Sequence, residues 1–206
     1  QIIAAWTCAL LGRQASTPMA RLGWWLIVGM VPAVVLGLAL EDFFQNLFGS
    51  PLSVGALLLI TGAILAVSEH FGSRLRNLDD LGWLDALVIG LAQACAIAPG
   101  ISRSGATIGA GLARGLGRVD AARFSFLLSV PIILGAGLQQ LFHTVTGPIL
   151  PGQSLLLAVG FAMAAISGYL AIHFLLQYVQ RRKLYPFAIY CWVVGGLSLL
   201  AALLGW

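Results

Sequence analysis

The densest polar cluster in the chain is Pro-Gly-Ile-Ser-Arg-Ser-Gly-Ala-Thr, Pro99 to Thr107, set between apolar stretches. Arg103 is its centre. An Arg at membrane depth costs about 2.5–3.5 kcal/mol even on lenient scales, so it serves a site or has a partner. No carboxylate lies close to it in sequence. A planar guanidinium matches phosphate oxygens in bidentate fashion. Ser104 is placed to cap a helix that starts there, with Thr107 three residues on. The free N–H groups of such a helix start favour an anion. The Ser102, Ser104 and Thr107 hydroxyls, the backbone at Gly100, the helix amides and Arg103 together read as a phosphate cradle. The competing reading is a hairpin tip stitched together by its own hydrogen bonds.

Two other motifs fail at the same place. Gly-Ile-Ser-Arg-Ser is not the G-x-S-x-G nucleophile elbow, because Ser104 replaces the second Gly and no strand precedes it. It is not a P-loop either, having no Lys. The pairs Gly105/Gly109 and Gly111/Gly115 are spaced for close helix packing. Gln93, nine residues before Ser102, either reaches the tip or makes an interhelical hydrogen bond. Asp85 reads as structural, and Glu41, Asp42 and Glu69 as solvated groups at span ends. His70, His143 and His173 show no metal-ligand spacing. Cys8, Cys95 and Cys191 are odd in number and sit in apolar stretches, so they read as packing residues rather than a disulfide framework. Trp24, Trp25, Trp83 and Trp192 read as interface or packing aromatics.

These residues need a scaffold, and composition names its solvent. Of the 206 residues, 60% are hydrophobic and 9% charged, against about 25% charged in soluble domains. That excludes an ordinary soluble enzyme, a disordered chain and a nucleic-acid partner, and leaves an all-α polytopic membrane protein. Apolar runs at 22–40, 52–68, 122–142, 154–179 and 184–206 are expected to span, and 1–12 to end an earlier span. The chain opens on Gln1 inside an apolar run and is expected to lack its beginning. Basic loops face the cytoplasm. That puts 13–21, 69–80, 114–123 and 180–183 inside, and 41–51, 143–153 and the C-terminus outside. Residues 82–117 then have both ends inside. A re-entrant helical hairpin satisfies this, with helices over 82–98 and 105–117, Asp79 or Asp80 capping the first and Pro99-Gly100 breaking it. Both helices are shorter than the roughly 30 Å hydrocarbon core. Broken backbone at that depth must be buried in protein or line a wet cavity. Val-Pro segments at 31–48 and 130–145 look alike, which suggests an inverted-repeat bundle. The whole chain, 1–206, reads as a single transmembrane domain.

The cluster Pro99–Thr107 matches the signature P-G-x-S-R-S-G-x-T, and its flanks GLAQACAIAPG and GLGRVDAARFSFLLSVPIILGAG fit as well. On these residues the chain resembles the undecaprenyl-diphosphate phosphatases of the bacitracin-resistance type. The resemblance covers nearly the whole chain. It implies an integral enzyme of the bacterial inner membrane, with its site open to the periplasm. Such an enzyme hydrolyses undecaprenyl diphosphate to the monophosphate, with a divalent cation, Mg²⁺ or Ca²⁺, as cofactor. It implies Arg103 as the diphosphate clamp and Ser102 as phosphate ligand or nucleophile. Thr107 and Ser104 would complete the cradle, and Gln93 falls at the polar position before the motif. The family's earlier Glu-rich stretch and Ser-Ser-x-Gly-His tip is absent from this sequence, and the metal ligands are expected there rather than in this chain. The expected partners are a polyprenyl diphosphate and the bilayer; a homodimer stays open. The alternative function is a transporter or flippase for a phosphorylated lipid or anion.

Overall fold

The structure is a computed structural model that describes residues 18–146 and 153–204. The reading of 1–12 as a span end, and Cys8, lie outside the described residues. The described residues form α1 (Pro18–Ala39), α2 (Glu41–Phe48), α3 (Pro51–Phe71), a 3₁₀ turn (Leu78–Asp80), α4 (Trp83–Cys95), α5 (Arg103–Ala113), α6 (Arg118–Thr146), α7 (Gln153–Arg181) and α8 (Tyr185–Leu203). Five of these are long and apolar enough to cross a membrane: α1, α3, α8, and the apolar parts of α6 and α7. They match the five apolar runs of the sequence, and the chain is an all-α, multi-pass membrane protein. The stretch after the first run is not a plain loop, however. It carries the short helix α2, whose N-terminal turn holds Glu41 and Asp42 where a helix dipole favours acids.

The described residues divide into two compact units, one of those up to 128 together with those from 183 onward, the other of those between 129 and 182. The second contains the remainder of α6 and all of α7. The most apolar 18 residues of α7 bury no side chain, and Leu156, Phe161 and Leu170 stand exposed, although Val179 near its end is buried. An apolar helix of this kind suits lipid as its solvent.

The first unit is built on close backbone approaches. A Cβ on Gly90 of α4 would lie 2.3 Å from the Gly29 carbonyl of α1, and one on Gly62 of α3 would lie 2.9 Å from the Ala188 carbonyl of α8. With no hydrophobic drive between helices in lipid, such small-residue seams let backbones meet. Gly105 and Gly109 serve the same purpose on α5, against Thr61 and against Ile64 and Ser68 of α3. Gly115 does something else. It ends α5 at φ +86°; its N–H binds the Leu112 carbonyl at 2.9 Å, and the Leu116 N–H binds that of Gly111 at 3.0 Å. That is a Schellman cap, which needs a left-handed residue.

Helices α4 and α5 form a short hairpin. The first ends at Cys95, ahead of Pro99, because residues 96–101 already turn. The second begins at Arg103 and ends at Ala113. At 13 and 11 residues they extend about 20 and 16 Å, below the roughly 30 Å of a hydrocarbon core. Both ends of the hairpin meet at the C-terminal end of α3. The Arg76 N–H binds the Gly115 carbonyl at 3.0 Å, and the Gly117 N–H binds that of Arg76 at 3.0 Å. The Asp85 carboxylate takes Arg76 Nη2 and Arg114 Nε, each at 2.6 Å. Asp85 thus clasps the start of α4 to the exit of α5, as a structural residue. Burial would raise its carboxyl, but the hydrogen bonds from Arg76, the Gly82 N–H and Arg114 outweigh that and hold it at about 2. The Gly82 N–H also fastens the start of α4 to Asp85, at 2.9 Å. Asp80 instead takes the Asn77 N–H of the 3₁₀ turn at 2.9 Å, so neither Asp79 nor Asp80 caps α4.

Glu69 corrects the reading of span-end acids as solvated groups. It is 2% exposed. Its carboxylate binds Arg118 in a two-nitrogen contact, takes Arg74 Nη2 at 3.0 Å, and faces the Leu184 N–H at 3.4 Å. Burial without such partners would be prohibitive. The cluster ties α3, the start of α6 and the start of α8 at one end of the first unit.

Candidate active site

The tip between α4 and α5 is fixed by residues outside its motif. Gly100 has φ +98°, and a Cβ there would lie 2.3 Å from the Val54 carbonyl and 3.1 Å from Leu57 Cβ of α3. Only glycine fits that backbone and that approach. Thr61, fully buried in the middle of α3, receives the Ser102 N–H on its hydroxyl oxygen at 3.1 Å. Its proton lies between the carbonyls of Gly100, at 3.1 Å, and Leu57, at 3.2 Å. The tip therefore lies against the N-terminal half of α3, while the hairpin's base lies at the other end. Gly72 to Leu57 is about 22 Å along the helix axis.

At the tip, Ser102 and not Ser104 caps the returning helix. Its hydroxyl takes the Gly105 N–H at 3.2 Å, and its carbonyl takes that of Ala106 at 2.8 Å. The cap falls two residues earlier than the sequence suggests because Thr61 holds the Ser102 backbone extended, at φ −69° and ψ 120°. Ser104 then lies in the first turn, its hydroxyl 3.4 Å from that of Ser102. The remaining N–H groups of that turn, of Arg103 and Ser104, have no acceptor among the described residues. They are open to an anion where the helix dipole is positive.

Arg103 makes no side-chain hydrogen bond or ion pair with any described residue. Arg74, Arg76, Arg114 and Arg118 of the same unit are all engaged with Glu69 or Asp85. The first turn of α5 thus carries a half-buried Arg free among the described residues, two open amides and two hydroxyls, a set suited to a phosphate group.

Thr107 is placed differently. It is buried, its hydroxyl donating to the Arg103 carbonyl at 2.8 Å or sharing a proton with Ser125 Oγ at 2.6 Å. It braces α5 against α6, one turn below the open amides. Gln93 is 3% exposed, and neither its Oε1 nor its Nε2 has a partner among the described residues. It shares the helix face of Ala86, Ile89 and Gly90, and no hydrogen bond joins it to the tip.

The sequence reading did not single out Thr61 or Ser125. A signal was present for Thr61, the lone hydroxyl between Ser53 and Ser68 in an apolar run. Ser125 carried no such mark.

A divalent cation needs oxygen ligands gathered at one point. Among the described residues no three His, Cys, Asp or Glu side chains come together. Glu69 and Asp85 are committed to arginines at the opposite end of the hairpin. The described residues do not supply a cation site, and no chemical step is routed through one.

Residues 1–197 match the family of the bacitracin resistance protein BacA. The chain belongs to this family. Proteins named undecaprenyl-diphosphatase are similar to it along most of its length. That of Methanothermobacter thermautotrophicus is 52% identical over 182 residues, which is 87% of this chain and 99% of the relative. That of Halothermothrix orenii is 44% identical over 177 residues, 86% of this chain and 68% of the relative. That of Micrococcus luteus is 40% identical over 211 aligned positions, all of this chain and 74% of the relative. Within this BacA family member, the tip of the α4–α5 hairpin combines a guanidinium free among the described residues, open amides and hydroxyls.

Proposed function

We propose that this chain is an integral membrane phosphatase that hydrolyses undecaprenyl diphosphate to undecaprenyl phosphate and inorganic phosphate, recycling the lipid carrier of cell-wall synthesis. The observation that carries the reading is Arg103, without a partner among the described residues, beside the open amides of its own helix start.

The reaction adds water oxygen to the terminal phosphorus and breaks its bond to the bridging oxygen, which leaves with the lipid monophosphate. Charge spreads over the terminal phosphoryl oxygens and the leaving oxygen in the transition state. Arg103 clamps these oxygens, and the Arg103 and Ser104 amides stabilise the charge that develops. Ser102 serves as a phosphate ligand. Its hydroxyl caps Gly105, and no His, Asp or Glu among the described residues lies within hydrogen-bond reach to act as its base; an activated nucleophile needs one. Thr107 supports the cradle from below. The divalent cation, Mg²⁺ or Ca²⁺, would draw its ligands from outside the described residues.

The membrane is proposed to be the bacterial cytoplasmic membrane. By loop charge, the hairpin's base with Arg76, Arg114 and Arg118 faces the cytoplasm. The hairpin is then re-entrant and its tip opens to the periplasm, where the diphosphate headgroup enters.

The test is phosphate release from undecaprenyl diphosphate by the purified chain in detergent, with Mg²⁺, with chelator, and with Arg103→Ala. Release that needs both the cation and Arg103 supports the phosphatase. No release by this chain or by a version extended with a relative's N-terminal segment overturns it in favour of lipid or anion transport.

A further inference from the structure

We infer that Thr61 is the positioning residue of the anion cradle. The inference rests on the phosphatase reading for its catalytic consequence, and on geometry alone for the placement of the tip.

Thr61 belongs to α3, not to the hairpin, yet its single hydroxyl engages both sides of the turn that launches α5. It donates towards the Gly100 carbonyl and accepts from the Ser102 N–H. Ser102 in turn provides the cap on Gly105. The Cγ2 of Thr61 sits where a Cβ on Gly105 would come within 3.3 Å, so the first turn of α5 rests directly on Thr61. One buried group therefore sets the direction of Ser102 and, through it, of the Arg103 and Ser104 amides. Thr61 itself is fully buried and does not touch substrate. Its action is to keep donors aimed at the phosphoryl oxygens, and small misplacements of such groups lose large rate factors, about 10²-fold for 1 Å.

The physical alternative is a packing residue whose hydroxyl merely satisfies the Leu57 carbonyl of its own helix. Valine and serine separate the two. Thr61→Val keeps the shape and removes both tip bonds. Thr61→Ser keeps the hydroxyl and loses a methyl.

The experiment measures amide hydrogen exchange at the hydrogen-bonded tip amides of Ile101, Ser102 and Gly105 and steady-state phosphate release from undecaprenyl diphosphate, on the wild-type chain and both variants. Thr61→Val is expected to speed exchange at the tip at least tenfold with α3 and α8 unchanged. It should lower kcat about tenfold or more while KM moves less than threefold. Thr61→Ser is expected to restore both within about threefold. Unchanged tip exchange in Thr61→Val overturns the proposal. So does a serine variant as impaired as the valine one. If neither the wild-type chain nor the version extended with a relative's N-terminal segment releases phosphate, the phosphatase reading fails on its own, and the exchange comparison still decides whether Thr61 fixes the tip.

Discussion

Arg103 and Ser102 are neighbours with different obligations, and this separates their expected phenotypes. Arg103 contributes no hydrogen bond or ion pair to the fold among the described residues. Arg103→Ala should therefore lower kcat/KM by about 10²–10³-fold, the range for removing one donor to a developing oxyanion. The thermal unfolding midpoint in detergent should not fall. Ser102 is a helix cap as well as a phosphate ligand. Ser102→Ala should cost about 1 kcal/mol of stability and reduce turnover without abolishing it. Loss to the uncatalysed background would make it the nucleophile instead. Phosphate release and a melting curve on each variant read both quantities.

The hairpin's helices are individually short, so what keeps the element in place is its base and its seams. Asp85 holds Arg76 and Arg114 together. Its carboxyl lies at about 2 in the folded chain, below its ordinary value. A depressed acid stabilises the fold above its unfolded pKa and loses that contribution as pH falls through the folded one. The wild-type unfolding midpoint should drop between about pH 4 and pH 2, and Asp85→Asn should start lower and drop less over the same interval. The seam to α1 is tested by Gly90→Ala. Its Cβ would lie 2.3 Å from the Gly29 carbonyl, so α1 and α4 must part, at a cost of about 1–3 kcal/mol. A denaturation series on the variant measures it.

At the scale of the molecule, the arrangement of the hairpin relative to the bilayer decides what the tip can meet. Both ends of the hairpin join at the C-terminal end of α3, and its tip lies against the N-terminal half of that same span. With the native cysteines replaced, Asp80→Cys and Val119→Cys should both react with an impermeant thiol reagent from the cytoplasmic side, and Gln45→Cys only from the other. Opposite labelling of positions 80 and 119 would mean that the segment crosses the membrane, and the re-entrant arrangement would fall.

The five spans and the helix break at Pro99–Thr107 were legible in the amino-acid order, because hydropathy and motif spacing are local properties. The Gly105/Gly109 spacing likewise marked a close helix seam, whereas Gly115 caps α5 and the approach of Gly90 to Gly29 carried no such reading. The order of residues could not show that Ser102 rather than Ser104 caps α5, since that choice is made by Thr61, 41 positions earlier. Nor could it show that Glu69 is buried against Arg118, 49 positions away. A charge at the end of an apolar run is solvated or paired according to what packs beside it, and only the assembled helices settle that. Thr107 carries the same lesson. Its place in the motif reads as part of the cradle, but its partner Ser125 comes from another helix. Sequence determines which groups are available to chemistry; tertiary packing determines which are left free for it, because a buried polar group binds whatever donor or acceptor the fold brings within 3 Å or so.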